Sequence, residues 1–241
     1  MATQYITQFE GLYEAPQVAQ YLIASLRTDL PGLERFQRLS SQHLIRWVRN
    51  GLALRELATL SGRELILGFE DLISMRVVAV MRAVGVTWPK IHRAEQWLRE
   101  RTGHRRPFAV ERVWTETEDV FAELPEGFVA ASQRGQLAFA GLLHDYLRNV
   151  RDLDFVPVNG YSVAAAWSPH PNIRLNPKIQ FGAPCIAQTR VPTTTIWGMV
   201  HAGDSPQFVA RAYGIPPERV SDALQWEERL IAATGKAKLL G

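Results

Sequence analysis

GAPCIAQTRVPTTTI, residues 182–196, packs two prolines, the only cysteine of the chain, a Thr-Arg pair and three consecutive threonines into a short stretch. Two apolar or β-branched runs, 183–187 and 191–196, flank Gln188-Thr189-Arg190, which is the pattern of a short β-hairpin. Pro184 and Pro192 suit its edges, because proline lacks the amide donor that a central strand needs. A phosphate-cradling loop needs a run of exposed backbone amides, and Gly182 alone does not supply one. Cys185 reads as a small buried hydrophobe. As a lone cysteine it excludes an internal disulfide and any cysteine-based zinc site within one chain.

Downstream of this stretch the punctuation is helical. Ser205 is placed to cap a helix with Pro206 in its first turn, Gly214 to end it in a left-handed conformation, and Pro217 to open a second helix reaching about Leu230. Two helices joined by a short GIPP turn suggest a helix-turn-helix, with Ala210 where the helices cross and Ile215 and Val220 in the shared core. Residues 206–231 nevertheless set Arg211, Arg219 and Arg229 against Glu218, Asp222, Glu227 and Glu228. That surplus of carboxylates makes a poor DNA reader and points to a core or subunit-contact element, with Trp226 as an interface anchor.

Upstream, YEAPQVAQYLI (13–23) places Val18, Ala19, Leu22 and Ile23 on one helical face. LSSQHLIRWVRNGL (39–52) has Ser40 or Ser41 as N-cap and Gly51 as a stop, with Leu44, Ile45, Trp47 and Val48 inward and Gln42, Arg46 and Arg49 along the opposite face. A helix that reads bases needs short polar groups near its N-terminus and guanidinium groups for guanine or phosphate. Ser41, Gln42, His43, Arg46, Arg49 and Asn50 meet that description, and Arg27, Arg35 and Arg38 upstream are candidates for phosphate contacts. An ordinary surface helix with its arginines in solvent has the same composition. Residues 68–103 divide into a helical pair at Gly85-Val86-Thr87, with Thr87 as N-cap. Between the two ends, 106–124 reads as one or two short strands, 135–156 as helical in its first half, and SPHPNIRLNP (168–177) as a linker.

The 241 residues carry a net charge of +3, distributed unevenly. Residues 1–105 hold 14 Lys and Arg against 10 Asp and Glu, 106–170 hold 5 against 9, and 171–241 hold 8 against 5. Both ends are basic and the middle is acidic. No apolar stretch approaches the roughly 20 residues of a membrane span, and the amino terminus lacks the pattern of a signal peptide, so a cytoplasmic location is expected. The six histidines show no metal-ligand spacing, the acidic run 115–119 reads as a solvated turn, and no nucleophile elbow, phosphate loop or zinc-protease motif is present. No catalytic residue, metal or cofactor is therefore expected.

The pattern G-x-P-x-I-x-x-T-R-x-P, a helix, G-x-S-x-x-x-x-A-x-x-Y and V-x-x-A-L, met from Gly182 to Leu224, is similar to a small domain found in bacterial antitoxins. The helices around Val18 and Leu44, with the pair over 68–103, resemble MerR-like winged helix-turn-helix modules. Chains that join the two resemble VapB-type antitoxins of the larger class. The resemblance implies a fold that is mainly α with short β-hairpins: two helix-turn-helix-type domains, 11–108 and 171–241, joined by a mixed connecting segment, 109–170. It also implies a homodimer paired through the carboxy-terminal domain, binding double-stranded operator DNA as an autorepressor and neutralising a PIN-domain VapC-type ribonuclease. Arg148, Arg151 and Arg174 are the candidates for toxin contact. A MerR-like regulator responding to a ligand is the alternative. Relatives often have glycine where this chain has Gln188, so the turn there is a point of departure.

Overall fold

The computed structural model describes residues 11–25, 39–49, 65–83, 86–111, 113 and 152–238. Among them the chain is mainly α-helical, with two small antiparallel sheets.

Its centre is a helix wrapped on all sides. α3 (Phe69–Ala83) follows two short elements, α1 (Ala15–Ala24) and α2 (Ser41–Arg49), and every residue from 71 to 80 on it is buried. A helix that is apolar all round belongs in a core rather than on a surface. Asp71 and Arg76, polar residues buried on it, are both paired. Asp71 accepts from the Gly68 amide at 3.2 Å and forms an ion pair with the buried Arg106. Arg76 meets Asp152 at 2.7 Å and lies over the Trp167 ring at 4.7 Å, while the Trp167 indole N–H donates to the same carboxylate at 3.2 Å. α4 (Trp88–Thr102) begins at Thr87, with Pro89 in its first turn, and ends on Gly103 in the left-handed region. This is the helical pair and the Thr87 start that the sequence indicates.

The amino-terminal helices are tied by a two-strand ribbon, β1 (Tyr13–Glu14) against β2 (Ile66–Leu67). Glu14 starts α1 through a capping box in which its amide donates to Gln17 Oε1 at 3.0 Å. α1 packs on α2, burying Val18, Ala19 and Leu22 with Leu44, Trp47 and Val48 in one continuous core.

The second sheet is a meander of β3 (Leu153–Val158), β4 (Tyr161–His170), β5 (Ile173–Leu175) and β6 (Cys185–Ile186). Asn159 and Gly160, both at positive φ, make the two-residue turn between β3 and β4. Among the described residues β3 is an edge strand, carrying the exposed Asp154 and Pro157, with a register shift at Asp154/Phe155. After β6 come α5 (Thr193–His201), α6 (Pro206–Tyr213) and α7 (Pro217–Lys238). Ser205 Oγ accepts from the Phe208 amide at 3.2 Å and Gly214 closes α6 with φ 63°, as the sequence signals require.

The fold departs from the sequence expectations at several points. Residues 193–196 open α5 instead of forming a strand, so the hairpin partner of β6 is β5, and 191–192 contribute only an isolated bridge between Cys185 and Pro192. The threonines' strand preference yields to tertiary anchoring. Thr193 is fully buried, its amide bonds Pro184 O at 3.0 Å, and its hydroxyl reaches Glu227 on α7. Pro107–Ala109 form a 3-10 turn, and Val110 makes only an isolated bridge to Val163 of β4, while 112 and 114–124 of the expected strand region lie outside the described residues. Residues 153–156 belong to β3, and the first half of the helix expected over 135–156 lies outside the described residues. The expected linker 168–177 is a β-hairpin, pairing Trp167 with Leu175 and His170 with Ile173 around Pro171-Asn172, so a boundary at 170/171 falls inside a hydrogen-bonded turn. Trp226 is fully buried within the chain, with ring centroids 6.1 Å from Tyr21 and 6.3 Å from His170. It anchors α7 to α1 and β4 rather than facing a second subunit.

Candidate functional site

α2 carries the residues that the sequence singles out. Ser40 starts it: its carbonyl accepts from the His43 amide at 3.0 Å, and its hydroxyl lies 2.8 Å from His43 Nδ1. Burial and the neighbouring Arg46 hold the His43 imidazole below its ordinary range, so the ring is neutral near pH 7. A neutral ring accepting from Ser40 at Nδ1 carries its proton on Nε2, leaving one donor for an outside partner. Gln42, His43, Arg46 and Arg49 are exposed, Ser41 is half-buried, and Leu44, Trp47 and Val48 turn inward. The helix has no acidic residue, and its two arginines lie in the last turn, where they complement the helix dipole. It is a cationic, hydrogen-bonding ridge held on a rigid apolar base. Arg27, Arg35, Arg38 and Asn50 lie outside the described residues.

The ridge has a neighbour that amphipathic spacing does not reveal. Trp88, at the start of α4, meets Trp47 edge to face with centroids 5.9 Å apart. Arg82 lies over the same Trp88 ring at 5.2 Å and donates to Val86 O at 2.6 Å, while His92 packs on it at 6.0 Å. The first turns of α4, with half-buried Lys90 and exposed Arg93, are thereby joined to the buried side of α2. The signal lies in WPKIHR: a tryptophan at a helix start followed by spaced bases.

The three arginines expected at a toxin contact are not brought together among the described residues. Arg148 and Arg151 lie outside them, and Arg174, on β5, is ion-paired with Asp154 of β3. Arg190, on the turn that follows β6, is exposed, and its side chain has no hydrogen-bond or ion-pair partner among the described residues. Cys185 is buried and free, and burial pushes its thiol up to about 11, which makes it inert as a nucleophile. No group of three or more His, Cys, Asp or Glu among the described residues is placed to hold a metal ion. No described helix is long and apolar enough to cross a membrane.

Residues 173–226 match a family described as Protein of unknown function (DUF433). The match begins on β5 and ends at Trp226, so it covers the edge of the sheet, the Thr-Arg turn, α5, α6 and the first half of α7. The whole fold is similar to the X-ray crystal structure of Rv2018 from Mycobacterium tuberculosis, with a TM-score of 0.64, 19% identity, and coverage of 88% of this chain and 96% of that one. At that identity the likeness shows the fold. No curated protein matches the sequence.

Proposed function

We propose that this chain is a DNA-binding autorepressor of the VapB antitoxin type, in which α2, packed on α1, enters the major groove. The observation that carries the reading is the outward face of α2: Gln42, His43, Arg46 and Arg49 exposed together on a helix without acids, its opposite face locked into the core. Gln42 and the neutral His43 offer hydrogen bonds to base edges near the helix start, and Arg46 and Arg49 offer charge to phosphate or guanine. Lys90 and Arg93 on α4 extend the positive surface to the flanking backbone. α6 and α7, whose exposed residues include Glu218 and Glu228, belong to the half that pairs two copies, and two-fold symmetry then calls for a palindromic operator. The toxin partner is a PIN-domain ribonuclease with an acidic site, offered cations by the carboxy-terminal half.

The test is a salt titration of operator binding. Removing one phosphate-binding cation should flatten the slope of log K against log salt by about 0.9. Arg46→Ala and Arg49→Ala are expected to weaken binding and flatten the slope, whereas Arg174→Ala, already neutralised by Asp154, leaves both unchanged. Equal affinity and slope in the Arg46 and Arg49 variants would exclude α2 as the reading helix.

A further inference from the structure

The Thr-Arg turn encloses a cleft of about 410 Å³, within the ~300–1,000 Å³ span of small-molecule sites. Its lining draws on Arg174 of β5 and Ile186 of β6, on Asn176 and Ile179 between them, and on the turn residues Gln188 and Arg190. The exposed lining is mostly apolar.

The turn is held in shape before any ligand arrives. Thr189 Oγ1 donates to Ile186 O at 2.8 Å and accepts from the Val191 amide at 3.1 Å. The Ala187 amide donates to Asn172 O at 2.8 Å. From α7, Arg219 donates to Ala187 O at 3.0 Å and to Gln188 Oε1 at 3.2 Å, holding Gln188 at φ 63°. Gly182, Pro184, Ile186, Thr189 and Thr193 therefore each have a partner or a packing role in the fold. Arg190 is different. Its carbonyl accepts from Gln180 Nε2 at 3.2 Å, but its side chain, on an exposed residue that lines the cleft, has no hydrogen-bond or ion-pair partner among the described residues.

Charge then limits the occupant. Arg174 is compensated by Asp154 and Arg219 is engaged by Ala187 O and Gln188 Oε1, so among the described residues that line the cleft Arg190 is the cation left for a ligand. A polyanion would leave most of its charge unmatched there, and a neutral apolar molecule would leave the guanidinium unused. We propose that this cleft binds a small organic monoanion, a carboxylate on an apolar body, with the carboxylate on Arg190 and the body against Ile179. A guanidinium matches a planar carboxylate bidentately, which supplies orientation as well as attraction. Such binding does not depend on whether the chain also binds DNA.

The full-length chain, labelled with ¹⁵N, is titrated with benzoate and followed by the amide resonances of residues 186–190. Benzyl alcohol, which keeps the ring without the charge, and inorganic phosphate, which keeps charge without the ring, serve as comparison probes. Saturable benzoate shifts at 186–190 are expected, with both comparison probes weaker and Arg190→Gln weakening benzoate by about tenfold or more, equivalent to ~1.4 kcal/mol. Arg190→Lys should fall between, since it keeps the charge but not the fork. Because Arg190 is exposed, unchanged resonances elsewhere will verify that the variants fold. Absence of saturable shifts, equal benzoate affinity in Arg190→Gln, or phosphate or benzyl alcohol binding as tightly as benzoate would each overturn the proposal.

Discussion

Gly182 is fixed by a neighbour 169 residues away. It sits at φ 89°, its carbonyl accepts from the Tyr13 hydroxyl at 3.1 Å, and a Cβ placed there would collide with that hydroxyl. Gly182→Ala is expected to cost about 2–4 kcal/mol through combined backbone strain and overpacking, read as a lower urea midpoint. Glu227 makes a different prediction. Burial pushes its carboxyl above the ordinary value of 4.5 against the opposing effect of the Thr193 hydrogen bond. The folded state therefore holds a proton that the unfolded chain has released, and stability falls as pH rises from 4.5 through the folded-state value. Glu227→Gln, which cannot ionise, should raise the midpoint at pH 8 relative to the parent and leave little advantage at pH 4, checked by denaturation at both. Neither residue announces itself in sequence. Gly182 is legible as a turn glycine, but its reason is Tyr13, and Glu227 has the pattern of one solvated carboxylate among four.

At the scale of elements, legibility follows the kind of signal. Helix ends written in local chemistry are readable: Ser205, Gly214 and Pro217 lie where their capping and turn preferences put them, and Thr87 holds the N-cap position although its side chain makes no cap hydrogen bond. Elements decided by distant contacts are not. Three β-branched threonines suggest a strand, yet burial of Thr193 against α7 makes them a helix start. Asn159-Gly160 is a strong hairpin signal, masked by the helical pattern that leads into it. In the candidate site, the α2 face is legible because amphipathic spacing alone separates Arg46 and Arg49 from Trp47 and Val48. The Arg190 cleft is not: its lining lies within 174–190, but the space between those residues exists only once β5 pairs with β6 and Arg219 of α7 holds the turn. The Thr-Arg turn also depends on α7. Arg219→Ala removes both hydrogen bonds to it and should cost about 1–3 kcal/mol, with accelerated amide exchange confined to residues 186–191.

Across the whole molecule, the two halves are bound together by residues far apart in sequence. Trp226 packs on Tyr21, Arg229 donates to Ala24 O at 3.3 Å, and Gln20 donates to Thr234 at 2.9 Å, so α7 spans from the carboxy-terminal half to α1. Arg76 makes a second tie, from α3 to the start of the sheet. Unfolding should accordingly register as one transition, with tryptophan fluorescence and far-ultraviolet dichroism coincident. Trp226→Ala, at a cost of about 3–5 kcal/mol, should separate the two curves. Coincident curves in that variant would place the coupling elsewhere. Charge distribution suggests separate basic ends and an acidic middle, but pairing through buried aromatic rings leaves no periodic trace in sequence.

The outer strand of the larger sheet carries one further consequence. An unpaired strand edge offers its amides and carbonyls to any passing chain, and fibrillar stacking begins from such an offer. β3 answers with three obstacles in six residues: the Asp154 carboxylate in its ion pair with Arg174, the missing amide of Pro157 and the register shift between 154 and 155. A chain with Asp154→Val and Pro157→Val would keep its core while exposing a smoother, β-branched ribbon beside Val156 and Val158. Such a variant should scatter light at concentrations where the parent stays clear, and the property it gave up would be protection against its own copies.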